Sequence, residues 1–408
     1  MTDHARISPP DAEPGRPGRG PRRIAVVTTG RADYGLLIPV LRALERHPGT
    51  TPIVYATGAH LSERHGMTID RVRADGWDQI ETVETESTRD QDMPSRIARG
   101  VGGFGDAFTS RRGPDAPDVV ALLGDRFETL AAAVAASAAG IPIAHIHGGE
   151  TTTGALDNQF RYAITALANL HCVATKRARD RLIAMGEATE TLIHTGAPGL
   201  DGIAEQQPMP REDFCREAGL SGDSPFLLVT LHPETIGGSD ATAHAGTLVR
   251  ALESVGMPVL ATAANQDPAG NAINAVIEDA CARNRWAFSR ALGPLYHHAM
   301  RHATAMVGNS SSGIIEAASF GLPVVNIGER QGGRERSGNV VDCAHDADAI
   351  ERAMRDAIAM ECAGIANRYA APSGASAADR IAAAVAAMPL GAASIRKAFD
   401  PPGLGKSE

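Results

Sequence analysis

Twelve short, almost uninterrupted apolar runs recur along the chain, each closed by glycine or a polar residue and most followed by a helical stretch. In the first half they are IAVVTTG (24–30), PIVYATG (52–58), VVALLGD (119–125), PIAHIHGG (142–149), LHCVATK (170–176) and TLIHTG (191–196). In the second they are FLLVTLH (226–232), PVLATAAN (258–265), WAFSRALG (286–293), ATAMVGNSS (303–311), PVVNIGER (323–330) and VVDCAH (340–345). Strands apolar at every position, rather than at every second one, are covered on both faces. That is the situation of a parallel sheet flanked by helices. Six runs in each half make this an α/β chain of two Rossmann-like domains, 23–200 and 225–374. A Gly- and Pro-rich connection, 201–224, joins them, and an Ala-rich helix, 375–398, closes the chain before a tail, 399–408.

Composition narrows the class. A charged fraction of 21% and a hydrophobic fraction of 43% are those of an ordinary folded protein, and a net charge of −9 gives no footing for nucleic acid. No apolar run reaches the length of a membrane span. Residues 1–22 are polar and rich in Pro, Gly and Arg, with no apolar core, so they read as a disordered extension and not a secretory signal. The five cysteines are far apart, which argues against disulfide and clustered zinc frameworks and makes the cytoplasm the expected location. Lysine is nearly absent (Lys176, Lys397 and Lys406), so arginine carries the positive charge.

The chemistry-bearing residues follow the last apolar residue of each run, as in TTGRAD, LLGDR, HGGE, LHPE, AAN, GNSSS and GER. Ligands of open parallel sheets bind beyond the carboxyl ends of the strands, so both halves aim at one cleft. Ser310, Ser311 and Ser312 stand at a strand-to-helix turn, where exposed N–H groups and the helix dipole favour phosphate. An ordinary serine cap is the alternative. Glu316, a turn further on, can accept from two ribose hydroxyls. There is no GxxxxGK and no GxGxxG, which argues against a P-loop and a dinucleotide oxidoreductase. Arg31 ends the first run and can reach an anion. Asp125 and Arg126 are neighbours, one for the cleft and one for an internal pair. His232 suits an acid, a base or a phosphate donor, and Asn265 ends a strand. Arg330, Arg334 and Arg336 lie among glycines, where backbone and guanidinium can both approach a diphosphate. His145 and His147 alternate on a strand and face opposite ways, so one metal ion could not use both. The residues alone lead to an enzyme acting on a nucleotide-linked substrate.

GRADYG, GDRFE, HIHGGE with GALDNQFRYAIT, LHPET, GNSSSGIIEA and GERQGGRER, in this order over about residues 22–385, resemble the hydrolysing UDP-N-acetylglucosamine 2-epimerases of sialic acid and nonulosonate synthesis. The resemblance implies a GT-B-like fold with the active site between the domains. It places Arg31, Asp125, Asp157, Arg161 and His232 at catalytic or active-site positions, with His147 and Glu150 in the shared HGGE turn. Arg126, Ser310, Ser311, Glu316 and Arg330 match positions that hold UDP, and Arg31, Gly35, His232, Asn265 and Gly313 complete the substrate-binding set. Asn158-Gln159 departs from the acidic residue more usual after Asp157, and Leu292 stands where the vertebrate enzyme uses histidine.

The implied reaction is loss of UDP with removal of the C2 proton, giving a 2-acetamidoglucal, followed by hydration to N-acetylmannosamine. Asp157 is preferred over Asp125 as the base. Neither metal nor cofactor is expected; the partners are the UDP-sugar and further copies of the chain in a homodimer or homotetramer. The same chemistry on a 2,4-diacetamido-trideoxy UDP-sugar, a GT-B glycosyltransferase, a reversible epimerase and a UDP-sugar sensor are the rivals.

Overall fold

The apolar runs become the strands of two parallel sheets. The structure is a computed structural model describing residues 20–63, 66–85, 92–110, 115–220, 224–234, 240–264, 269–391, 395–397 and 400–401. In the first sheet are β1 (Arg22–Thr28), β2 (Thr50–Thr57), β3 (Ile80–Val83), β4 (Val119–Leu123), β5 (Ile143–Ile146), β6 (Leu170–Val173) and β7 (Leu192–His194). In the second are β8 (Leu227–Thr230), β9 (Val259–Thr262), β10 (Ala287–Ser289), β11 (Ala305–Gly308), β12 (Val324–Ile327) and β13 (Val340–Cys343). Every one of the twelve expected runs holds a strand. β3 is the addition: in QIETVE (79–84) only Ile80 and Val83 are apolar, because an edge strand is covered less completely.

The orders are β3-β2-β1-β4-β5-β6-β7 and β10-β9-β8-β11-β12-β13, with parallel pairing throughout. The order in which the chain adds strands therefore reverses between β1 and β4 and between β8 and β11. Those two crevices are where doubly wound sheets bind ligands. Alternate residues feed opposite core layers. Ile24 and Val26 join one layer and Ala25 and Val27 the other; in the second sheet Leu227 and Val229 oppose Leu228. Burial on both faces is the physical reason these runs are continuously apolar.

The connection after β7 is helical over Asp201–Glu205 and Arg211–Ala218, and Phe214 and Cys215 already pack in the second half's core beside Phe226 and Leu260. The C-terminal helix spans Ala377–Ala387, shorter than the Ala-rich stretch, and lays Ile381, Ala382 and Val385 against Leu37, Val40 and Leu41 of helix Arg31–Arg46. Asp201 caps it, accepting from the N–H groups of Ala377 (3.0 Å) and Ala378 (2.7 Å). The two crossing strands of chain touch at Gly196, whose φ is +84° and whose Cβ would stand 2.6 Å from the Ala371 backbone. Only glycine meets both conditions. The extension 1–19, the end 402–408 and Asn265 lie outside the described residues.

Two fully buried histidines in the first half are held neutral. Burial lowers His60, bonded to Thr28 and Thr68, to about 4, and His145, bonded to Thr165 and the Gly124 carbonyl, to about 3. An unfolded histidine titrates near 6.5, so below that pH the unfolded chain binds protons the folded chain refuses. Stability is then complete above pH ~6.5 and falls by roughly 1.4 kcal/mol per pH unit per histidine as pH drops towards about 4. Urea midpoints should therefore fall from pH 7 to pH 5, less steeply in His60→Gln; a midpoint flat over that range would contradict the assignment.

Candidate active site

Six strand ends supply the site, and backbone geometry fixes each. After β1, the carboxylate of Asp33 accepts from the N–H groups of Thr29 and Gly30, both at 2.7 Å. Burial raises its pKa, with those two bonds opposing. This clamp sets Arg31 as the first residue of helix Arg31–Arg46, where it is exposed. Gly35 is exposed one turn into the helix, with no protein atom within 4 Å of a Cβ.

After β4 and β5 the first half presents its acids. Arg161 is 1% exposed, and its guanidinium bonds Asp125, Thr152 Oγ1 (3.2 Å), the Glu150 carbonyl (3.2 Å) and Asn158 Oδ1 (3.4 Å). The carboxylate gripped by Arg161 is thus Asp125, from the neighbouring strand end. Asp157, four residues back and the first residue of helix Asp157–Leu167, is half-buried and lines the same cleft. Burial, then the charge of Arg334, lowers Arg161 to about 9, which leaves it cationic at neutral pH. Arg126 caps helix Phe127–Ala138 and donates from Nε to the fully buried Glu128 (3.1 Å).

His145 and His147 do not alternate on one strand. β5 ends at Ile146, and His147 takes a φ of +65°, which aims its Nδ1 at Glu150 Oε1 (2.7 Å). Glu150 is buried; burial alone would raise its pKa, but Arg334 (3.4 Å) and His147 outweigh that and hold it below the usual range. Glu150 is thereby committed to side chains of both halves. Among the described residues no three His, Cys, Asp or Glu side chains are grouped to hold a metal.

The second half contributes a cradle. Asn309 locks the His232 backbone, accepting from its N–H (2.7 Å) and donating to its carbonyl (2.9 Å). Burial, and then Arg330, lowers the His232 imidazole well below its ordinary value, so it is neutral near pH 7. It can donate or accept one hydrogen bond there but brings no positive charge. Ser310 caps the short helix Ser311–Ile315, and hydroxyl contacts run Ser310–Ser312 (2.8 Å) and Ser312–Tyr296 (2.6 Å). Glu316 ends that helix, 3.3 Å from His297 Nε2. A Cβ on Gly313 would meet Val324 of β12 at 3.0 Å, and its N–H donates to the Ser310 carbonyl (3.2 Å).

Between the halves lies a cleft of about 510 Å³, partly open to solvent, lined by Asp125, Arg126, Thr152, Ala155, Asp157, Ser311, Arg330, Gln331 and Arg334. Asp125, Arg126, Asp157, Ser311 and Arg330 are thus brought together as the spacing of their strand ends implies. Sequence reasoning passed over Asp33, Glu128, Thr152, Asn309 and Gln331, which act by fixing backbone or charged neighbours. The signal for them is position: each lies within six residues of a strand end, in a segment already singled out. The halves meet through backbone. Thr153 N–H donates to the Gly332 carbonyl (3.1 Å), and a Cβ on Gly154 would stand 2.8 Å from the Glu329 carbonyl oxygen and 2.9 Å from Arg330 N and Cα.

Two doubly wound sheets facing one polar cleft are a GT-B-like arrangement, and solved structures share it. A Neisseria meningitidis UDP-GlcNAc 2-epimerase bound to UDP-GlcNAc superposes with a TM-score of 0.75 at 18% identity, over 89% of this chain and 99% of that one. A Methanocaldococcus jannaschii UDP-GlcNAc 2-epimerase in complex with UDP-GlcNAc and UDP gives 0.72 at 13%, over 89% and 99%. The sequence model of the family described as UDP-N-acetylglucosamine 2-epimerase matches residues 42–386, and the chain belongs to that family. Its relatives include a hydrolysing UDP-N,N'-diacetylbacillosamine 2-epimerase of Legionella pneumophila, 37% identical over 83% of this chain and 89% of that protein. A hydrolysing GDP/UDP-N,N'-diacetylbacillosamine 2-epimerase of Campylobacter jejuni is 30% identical over 79% and 84%.

Gly154→Ala should test the meeting of the halves. Its methyl has backbone on the other side and cannot be relieved by a rotamer change, so the cleft must open. Turnover on the family's UDP-sugars should drop by about tenfold or more with the circular dichroism unchanged. Parental turnover in the folded variant would show that this contact is not needed.

Proposed function

We propose that the chain is a hydrolysing UDP-sugar 2-epimerase whose preferred substrate is UDP-N,N'-diacetylbacillosamine, the 2,4-diacetamido-2,4,6-trideoxy sugar. The observation that carries the reaction is the placement of two first-half carboxylates, Asp125 and Asp157, across one cleft from Ser311 and Arg330. The substrate preference rests on the relatives: 37% identity to the Legionella protein named for that sugar, against 28% over 83% of this chain to a Neisseria meningitidis UDP-N-acetylglucosamine 2-epimerase.

In this reading the diphosphate lies at the N-terminus of helix Ser311–Ile315, with Ser310, Ser311 and Arg330 taking its charge as the C1–O bond breaks. Glu316 keeps an oxygen for the ribose beside its contact with His297. His232, neutral, serves as a hydrogen-bond donor and not a cation. Positive character at C1 acidifies the C2 proton, which Asp157 removes. Asp125, oriented by Arg161, takes up a solvent proton and relays it to the opposite face, or takes the base role if the sugar sits the other way round. Water adds to C1, giving the free 2-epimeric sugar and UDP. The reaction is proton transfer and elimination, so its steps need only these side chains.

Incubation with UDP-N,N'-diacetylbacillosamine and with UDP-N-acetylglucosamine, with products read by mass and NMR, tests the reading. Free 2,4-diacetamido-trideoxymannose with the higher kcat/KM supports it. N-acetylmannosamine with the higher kcat/KM would move the substrate to the simpler sugar. Sugar retained on UDP would make the enzyme a reversible epimerase. Asp157→Asn should keep UDP affinity and lose at least about 10²-fold in kcat, since the general base is gone. Turnover near the parent's would remove Asp157 from the mechanism.

A further inference from the structure

The C-terminal end of the chain returns to the first half and places a lysine against the helix that carries Asp157 and Arg161. Lys397 Nζ donates to the carbonyls of Thr165 and Ala168, both at 2.7 Å, and lies 2.6 Å from Glu187 Oε1. Thr165 is in the last turn of helix Asp157–Leu167 and Ala168 is its C-cap. Both carbonyls sit at the negative end of the helix dipole, and that of Thr165 also accepts from the N–H of Ala168 (3.1 Å). Glu187 is 2% exposed in its side chain, and its second oxygen meets His171 Nε2 at 3.1 Å. The ammonium thus has an oxygen for each of its three N–H groups in a site largely closed to water. In a chain with 3 lysines among 39 basic residues, a buried lysine here fits a compact tetrahedral cation better than a planar guanidinium.

The contact reaches the site by two routes, one along the helix backbone and one through hydrogen bonds. Along the helix, Thr165 is two turns from Asp157. Across the sheet, Thr165 Oγ1 lies 3.2 Å from His145 Nδ1, and His145 Nε2 lies 2.8 Å from the carbonyl of Gly124, the residue before Asp125. Both carboxylates of the cleft are therefore referred to the same helix end. The strap is seated further on as well: Asp400 N–H donates to the Gly186 carbonyl (3.0 Å), and Gly186 has a φ of +95° with Pro401 N 2.9 Å from its Cβ direction.

We propose that Lys397 is a positioning residue for the epimerase reaction: the C-terminal strap pins the helix Asp157–Leu167, and through His145 the Asp125 turn, against the sugar. It touches no reacting atom. The proposal rests on the reading of Asp157 and Asp125 as the proton-transfer pair. It separates the ends of the substrate, because the strap grips the first half while UDP is assigned to the second.

Lys397→Met in the full chain should lower kcat by about tenfold or more with UDP affinity within about twofold of the parent's. With substrate deuterated at C2, the isotope effect on kcat should rise, since proton abstraction alone is slowed. A loss of folded protein would not raise it. Lys397→Arg returns a cation with donors for the two carbonyls and should recover part of the loss, short of the parent because the planar guanidinium fits the three oxygens less well. If near-ultraviolet circular dichroism shows Lys397→Met unfolded, Glu187→Gln, which removes the counter-charge, takes its place with the same split at smaller size. Amide hydrogen exchange over 157–168, faster in the variant, is read on the same samples. A folded variant with parental kcat, isotope effect and exchange overturns the proposal. A parent that converts no UDP-sugar would instead sink the functional reading, and the exchange rates would still decide whether Lys397 holds the helix.

Discussion

The site depends on a contact of backbone with backbone: residues 153–154 from the first half against 329–332 from the second. Neither half holds a complete site. The carboxylates and Arg161 come from the ends of β4 and β5 and the helix after them, whereas Ser311 and Arg330 come from the ends of β11 and β12. Glycine at 154 lets the chains approach to a distance that no side chain permits, and the Thr153–Gly332 hydrogen bond fixes their register. Charge follows the same seam, since Glu150 bonds His147 within its own half and pairs with Arg334 of the other.

A second constraint is the burial of arginine. Removing a guanidinium from water is expensive, and it is tolerated only where every donor finds an oxygen. Arg161 has Asp125, Thr152, Asn158 and the Glu150 carbonyl, so it stays charged at 1% exposure. Asn158 is therefore not a neutral gap in an acidic motif. It accepts from both Arg161 and the Thr152 N–H (2.9 Å), which holds the loop before the helix. Leu292, the other departure, packs in the second half's core with Phe226 and Met300.

Much of this was legible in the sequence because strands buried on both faces cannot hide their apolar runs. β3 could not be read, since an edge strand with only Ile80 and Val83 apolar looks like loop. Strand ends were read too long at β5 and β9, because the polar residues that close each run belong to the loops that follow. Asp125 and Arg126, Asp157, Ser311 and Arg330 were visible as charged or hydroxyl groups at strand ends. Their partners were not. Arg161 meets Asp125 across 36 residues, a pairing set by the β4–β5 neighbourhood and not by spacing on a helix. Asp33 looks like a solvated carboxylate in a first helical turn and is instead bent back on the turn before it.

The account centres on a C2 proton removed and replaced within the cleft while water enters at C1. Turnover of the UDP-sugar in D₂O enriched in ¹⁸O, stopped early and read by mass spectrometry and NMR, addresses both halves of that claim. Aspartates in a cleft partly open to solvent exchange their protons with water. The free 2-epimeric sugar should then carry one deuterium at C2 and ¹⁸O at the anomeric carbon before mutarotation exchanges it. A product of inverted C2 configuration that retains its original hydrogen, or a free sugar of unchanged configuration without C2 deuterium, would contradict the elimination and hydration scheme.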